Sequence, residues 1–336
     1  MAKTITVGIP TKNRYESLSH TLLSIAFQTL KPVEVIIVDD SDSPVRLTDV
    51  PIYRYIFELF DHYHIHWKVL FGQKKGQHLS HQFIQENAMG DFIFRIDDDE
   101  VAESNCLERL CSHMHEKTGA VAPMVLMPNA SALPAGLRNR IDDLSSPNMQ
   151  WFLYSGAHDA DHLYSCFLYR KGIARYELSL SPVAHREETI FSYSIKRAGY
   201  KLCACDARVW HFRQESGGIR SHKDMSFYEH DEKIFQGLLN IWNVKTKTNK
   251  VVVLDNGIGD HFAFKAILPQ LRKKHEHITI ACCYPDVFFD ESGLTLISIA
   301  QAIASYNSID PYNIYARMID WNWKGSLTQA FAKLYL

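Results

Sequence analysis

Four consecutive carboxylates, Asp97, Asp98, Asp99 and Glu100, close the run Gly90-Asp91-Phe92-Ile93-Phe94-Arg95-Ile96, whose aromatic and β-branched residues have the composition of a strand. Like charges this close repel, so the cluster needs water or a cation to neutralise it. A strand terminus leaves acidic oxygens free to converge on a hard divalent ion. The plainer reading is that Asp99 or Glu100 favours the N-terminal end of a following helix. A second acidic pair, Glu187-Glu188, opens a helical pattern with Phe191, Ile195 and Ala198 on one face, and such a pair can serve simply to compensate the helix dipole. Arg95 is a charge inside an otherwise apolar strand; it pairs with a neighbouring carboxylate or reaches toward a substrate. His62, His64 and His66 alternate, which puts three imidazoles on one strand face, either for a transition metal or for solvent.

The elements around these residues read as alternating strands and helices. Thr4 to Pro10 is β-rich and breaks at the polar turn Pro10-Thr11-Lys12-Asn13-Arg14. A helix follows, with Asn13 and Glu16 at capping-box spacing and Leu18, Leu22 and Ile25 as its apolar stripe. Val33 to Val38 is the near-continuous apolar run of a central parallel strand, ended by Asp39-Asp40-Ser41-Asp42. A right-handed β-α-β crossover then brings Thr11, Asn13 and Asp40 to one sheet edge. Tyr53 to Ile56 and Trp67 to Phe71 are candidate strands, and Gly76 opens a helix that runs into the acidic strand.

Beyond it, Leu107 to Met114 is helical and Ala120 to Val125 strand-like. Pro128 to Gly156 reads as a loop-rich insertion. Tyr164 to Arg170, Tyr200 to Cys205 and Arg208 to Arg213 are strand-like, and the Gly217-Gly218 pair that follows predicts a mobile flap. After a helical segment from Phe227 to Trp242, the polar stretch from Asn243 to Lys250 marks a boundary. A fresh β-α-β begins with Val251 to Leu254 and the turn Asn256-Gly257-Ile258-Gly259-Asp260, whose helix N-terminus would admit a phosphate. The expected domains are 1–243 and 250–336.

Composition narrows the function. Lys and Arg total 36 against 38 Asp and Glu, so nothing globally basic points to nucleic acid, and a nucleic-acid acceptor is disfavoured. With 336 residues and 46% hydrophobic content the chain has core material for about two domains. No apolar run approaches the roughly 20 residues that span a bilayer. The N-terminus lacks the apolar core and cleavage site of a secretory signal. Seven cysteines, an odd number without zinc-finger spacing, suit a reducing compartment, and a cytoplasmic location is expected.

The order of Val7-Gly8-Ile9-Pro10-Thr11-Lys12-Asn13-Arg14, Val38-Asp39-Asp40-Ser41, Gly90 to Asp99, the Glu187-Glu188 helix and Val209-Trp210-His211 resembles family-2 glycosyltransferases of the GT-A fold, over about residues 3–225. The resemblance implies a Rossmann-like mixed α/β sheet, a nucleotide-sugar donor, usually a UDP-sugar, and inverting transfer to an acceptor hydroxyl. It implies that Pro10, Thr11, Asn13 and Arg14 frame the donor and that Asp40 contacts uracil. Asp97 and Asp98 belong to a D-x-D element in which Asp99 touches the metal, and His211 completes the metal-diphosphate site. Glu188 falls where the family has the Asp of a Glu-Asp pair, the general base; the extra methylene is a departure. Carboxylate oxygen favours Mg²⁺ or Mn²⁺, and an imidazole ligand tilts the choice to Mn²⁺. Arg213 and Arg220 lie near the expected flap and would contact phosphate. The alternative is a non-catalytic module that binds a nucleotide-sugar or carbohydrate. From Lys250 onward, Val252-Val253-Leu254, Gly257-Ile258-Gly259-Asp260, Pro269 and Ile278-Thr279-Ile280 resemble the opening of heptosyltransferase-like GT-B enzymes, which implies a small Rossmann-like module with a docking or acceptor-side role.

Overall fold

A computed structural model describes residues 3–72, 76–144, 146–213, 217–218, 224–246, 249–275, 277–305 and 314–336. The chain opens with β1 (Ile5–Thr11), α1 (Tyr15–Ala26), β2 (Glu34–Asp39), α2 (Pro51–His62), β3 (His66–Phe71), α3 (Gln77–Asn87), β4 (Phe92–Arg95), β5 (Glu100–Ala102), α4 (Cys106–Ser112) and β6 (Thr118–Leu126). It continues through β7 (Ala157–Ala160), β8 (Phe167–Arg170), α5 (Glu187–Arg197), β9 (Lys201–His211) and α6 (Met225–Ile241). These strands form one mixed sheet of order β3-β2-β1-β4-β8-β6-β9-β5, with β7 also paired to β9.

The chain steps outward from β1 to β2 to β3, all parallel, and then returns to place β4 on the other side of β1. That reversal opens a crevice beyond the carboxyl ends of β1 and β4, where open α/β sheets bind ligands. Both faces of these strands are covered. Ile5, Val7, Ile9, Val35, Ile37 and Phe94 point into one core with α1 and α2, while Ile36, Val38 and Ile93 point into a second that includes Ile84 of α3 and Phe191 of α5. Double-sided burial explains the continuous apolar runs. Gly8 is required by closeness: a Cβ there would lie 2.6 Å from the Ile84 side chain.

Several local expectations change. Tyr53 to Ile56 is helical, because Pro51 starts α2 and Tyr53, Ile56, Phe57 and Phe60 bury one i, i+3, i+4, i+7 stripe. Asn13 does not cap α1: it takes a left-handed φ of 54°, its amide side chain donates to Asp42 at 3.2 Å, and Arg14 is the N-cap. The segments around Cys205 and Val209 are one strand, β9, bent by a register shift. His62 ends α2, His64 is a left-handed turn and His66 starts β3, and all three are exposed, so solvent is their partner. The seven cysteines are free.

From residue 249 a second sheet, parallel and of order β10-β11-β12, is built from β10 (Asn249–Leu254), β11 (His277–Cys282) and β12 (Leu294–Ile297). Its helices are α7 (Ile258–Lys265), α8 (Leu268–Lys274), α9 (Ile299–Ser305), α10 (Ile314–Asp320) and α11 (Leu327–Tyr335). The expected single helix through Leu271 is thus two, with Pro269 in the first turn of the second. The first turn of α7 carries the buried carboxylate of Asp260, which accepts from Tyr315 Oη at 2.6 Å; a negative charge there opposes the phosphate expected at this turn. Among the described residues no helix is long and apolar enough to cross a membrane.

Candidate active site

A cavity at the carboxyl ends of β1, β2 and β4 is lined by eight of the residues singled out from the sequence: Pro10, Thr11, Arg14, Asp40, Asp97, Asp98, Asp99 and His211. The strand ends are stitched together by backbone and side chain. Asp40 N–H donates to the Thr11 carbonyl at 2.9 Å, and Asn13 N–H donates to Ser41 Oγ at 2.8 Å. Asp40 itself is buried and accepts from Gly76 N–H at 3.0 Å. Asn13 is exposed and does not line the cavity.

The three aspartates after β4 are held differently, although two of them share Arg14. Asp97 accepts from Gln77 Nε2 at 2.7 Å, and burial together with the Glu100 charge pushes its carboxyl well up. Asp98 accepts from Thr11 Oγ1 at 2.7 Å and pairs with Arg14 Nη1 at 3.2 Å; burial nevertheless raises it to about 6. Asp99 pairs with the same Arg14 nitrogen at 3.1 Å and with His211 Nε2 at 3.3 Å. His211 arrives there because β5 and β9 pair with Glu100 opposite His211, and Phe212 N–H donates to the Asp99 carbonyl at 3.0 Å. Burial by itself would lower the His211 imidazole, but the Asp99 contact and the nearby Glu100 charge raise it.

The donor set at Asp99 and His211 suits a divalent ion. Adjacent ligands at right angles, each about 2.1 Å from an ion, sit about 3 Å apart, close to the 3.3 Å between these two atoms. Among the described residues no group of three or more His, Cys, Asp or Glu is arranged to hold a metal. Asp99 and His211 by themselves would supply two ligands, fewer than a full coordination shell.

Glu187 and Glu188 diverge at the start of α5. Glu187 is buried and forms a two-pronged ion pair with Arg95, Nη1 to Oε2 at 2.8 Å and Nη2 to Oε1 at 2.5 Å. This answers the question of Arg95, whose Nη1 also contacts Tyr176 Oη at 3.3 Å. Glu188 points elsewhere, is partly exposed, and has a carboxyl that burial and the Glu187 charge raise to about 7. It is not in the wall of the cavity around Asp99. The neighbouring Ser165, left-handed at φ 54°, has a backbone amide that favours the charged form of Glu188 and a hydroxyl that donates to Glu100 Oε1. Glu100 Oε2 in turn accepts from Asp97 N–H at 3.0 Å. Glu188 and the aspartates thus flank one connected stretch at the end of β4.

Arg213 does not line the cavity; its guanidinium lies 5.4 Å from the centroid of the Trp151 ring. Arg220 lies outside the described residues. The structure adds residues that sequence reasoning missed. Gln77 holds Asp97, and Pro182 and Val183 form cavity wall. Asp231 of α6 holds their turn, accepting from Ser181 N–H, Ser181 Oγ and His185 N–H at 2.6, 2.8 and 2.7 Å. No local pattern in the sequence marks any of these.

A mixed sheet whose acidic strand end faces a ligand crevice defines the GT-A class of transferase folds. Solved structures agree at the level of fold. GalNAc-T7 with UDP, GalNAc and Mn²⁺ matches 72% of this chain and 49% of its own, at 17% identity and a TM-score of 0.57. TarS 1-349 of S. aureus with UDP-GlcNAc matches 70% of this chain and 67% of its own, at 17% identity and a TM-score of 0.51. A longer TarS structure is covered over 40% of its length, at 18% identity and a TM-score of 0.49, so the chain spans less than half of that protein and of GalNAc-T7. No curated protein matches the sequence. The model of glycosyl transferase family 2 matches residues 6–176, and the chain belongs to that family.

Proposed function

We propose that this transferase moves a sugar, with inversion, from a UDP-sugar to an acceptor hydroxyl, with Asp99 and His211 binding a divalent metal, Mn²⁺ or Mg²⁺, and Glu188 acting as general base. The observation that carries the reading is the pairing of Asp99 with His211 at the cavity, together with a carboxyl raised to about 7, Glu188, that is linked to the same strand end through Ser165 and Glu100. The similar solved structures of GalNAc-T7 with UDP and Mn²⁺ and of TarS 1-349 with UDP-GlcNAc support the choice of donor and ion.

A divalent ion bound here would neutralise charge developing on the leaving diphosphate. The chain's own residues do the rest. Pro10, Thr11, Asn13, Arg14 and Asp40 form the donor side, with Asp40 at the base. Asp97 and Asp98 stand beside the ribose and phosphates. Glu188 takes the proton from the acceptor hydroxyl as its oxygen bonds to the anomeric carbon and the bond to phosphate oxygen breaks. A carboxyl titrating near 7 suits that task at neutral pH. One such base suffices for a single displacement, which inverts the anomeric centre.

The same proposal assigns sugar transfer to residues 1–243 and a docking or acceptor-side role to 250–336. Its support is that, among the described residues, the core of the second sheet, from Val252 to Leu336, contains no side chain from the first 243 residues. The test is release of nucleoside diphosphate from a panel of nucleotide-sugars with Mn²⁺. One UDP-sugar is expected to turn over, and Asp99→Asn is expected to lose at least about 100-fold in rate. Full activity of Asp99→Asn would reject the assignment.

A further inference from the structure

The Asp98–Asp99 pair already has a cation, and it comes from the chain. A single nitrogen, Arg14 Nη1, lies 3.2 Å from Asp98 Oδ1 and 3.1 Å from Asp99 Oδ2, and all three side chains are buried. Two adjacent buried carboxylates are costly without such a partner. Arg14 is held in place from both sides. Its carbonyl accepts Leu18 N–H at the start of α1, at 3.1 Å. On its outer side lie Gly217 and Gly218, both left-handed, and Gly218 N–H donates to the Lys12 carbonyl at 2.8 Å. A Cβ on Gly217 would lie 2.6 Å from Arg14 Cγ, and one on Gly218 would lie 2.9 Å from Arg14 Nη2. Glycine at both positions lets the backbone close over the side chain.

We propose that Arg14 is the resident counter-cation of the acidic strand end, and that a divalent ion must exchange with its guanidinium to reach Asp99. The proposal rests on the reading that Asp99 is a metal ligand. An ion bonded to Asp99 at about 2.1 Å would share that carboxylate with a guanidinium nitrogen now 3.1 Å away, and two cations so close repel strongly in a buried site. Exchange moves the guanidinium off the carboxylates but leaves it in the cavity wall, where an anionic group of the donor would meet it. Metal and nucleotide binding are thereby coupled: the metal alone must displace Arg14 from both carboxylates, whereas a diphosphate offers the displaced arginine an anionic partner.

The experiment titrates the full chain with Mn²⁺ alone and follows loss of the free-ion electron paramagnetic resonance signal, a readout independent of turnover. Arg14→Met is expected to bind Mn²⁺ at least about tenfold more tightly than the wild type, and Arg14→Lys, which keeps the charge, is expected to stay near wild type. Arg14→Met binding no more tightly overturns the proposal. Should that variant not fold, Gly218→Ala serves in its place, because its added methyl crowds the guanidinium. Tighter Mn²⁺ binding there supports the exchange, and unchanged binding overturns it. A parallel titration with UDP, corrected for the ion that UDP itself takes up, separates the two readings. Mn²⁺ held by the wild type with UDP, but no gain in Arg14→Met, sinks the exchange and spares the metal site. Mn²⁺ held by no form under either condition sinks both.

Discussion

Glu187 and Glu188 are neighbours in sequence and differ in everything that decides their chemistry. Glu187 is committed to Arg95, a guanidinium with no exposed surface, and the pair is part of the core. Glu187→Gln keeps the shape but strands the arginine charge, so a loss of about 3–5 kcal/mol is expected in a denaturant melt. A loss below about 1 kcal/mol would show that the pair is solvated. Glu188 is the carboxyl raised to about 7 by burial and by Glu187. In the proposed role of base Glu188 works deprotonated, so the rate of the wild type is expected to climb as pH rises through about 7 and level off above it. Glu188→Gln should lose about 10²–10⁴-fold in kcat, lose that pH arm, and keep donor affinity in a thermal-shift titration. Retention of the arm in the variant would move the base elsewhere.

At the scale of elements, the site is a set of strand ends and one clamped turn. Strand β9 delivers His211 to Asp99 through its pairing with β5, so a loop need not find that position. The turn from Ser181 to Arg186 contains two left-handed residues, Ala184 and Arg186, and leads straight into Glu187 and Glu188. Asp231 holds it from α6, and the next residue, Glu232, reaches Arg186 Nε at 3.2 Å. Asp231→Ala would leave two buried donors of Ser181 and the part-buried His185 N–H without their acceptor, at a cost of about 1–3 kcal/mol for each buried donor. Calorimetry is expected to show lowered stability, and kinetics a fall in kcat larger than any change in donor KM, because the displaced turn leads into Glu188, the proposed base. An unchanged kcat in folded protein would make Asp231 a purely structural residue.

At the scale of the molecule, the nine-stranded and three-stranded sheets bury separate cores. A chain ending at Thr246 is expected to unfold cooperatively and to keep the wild-type response to UDP and Mn²⁺ in a thermal-shift assay. Failure to fold, or a lost response, would mean that the second sheet completes the first. The resemblance from Lys250 onward meets a parallel three-stranded β-α-β arrangement, but Asp260 in the first turn of α7 gives that turn a negative charge.

The amino-acid sequence determined the features whose causes are local. The apolar runs of β1, β2 and β4, the polar turn at Thr11 and the aspartates at a strand end follow from composition and period, and the right-handed crossover placed Thr11, Asn13 and Asp40 at one sheet edge. The helix at Tyr53 was legible too, in Pro51 and its stripe of four apolar residues, but short aromatic runs suit either state. The tertiary structure alone decided which charges meet. Arg95 finds Glu187 across 92 residues, Ser165 finds Glu100 across 65, and Ser181 finds Asp231 across 50. Such pairs depend on strand order and helix placement, which bring distant side chains together in a low-dielectric interior and leave no periodic trace along the chain. For the same reason, the sequence marked Glu187 and Glu188 as one acidic pair, and only packing separated a core ion pair from a carboxyl poised near neutrality.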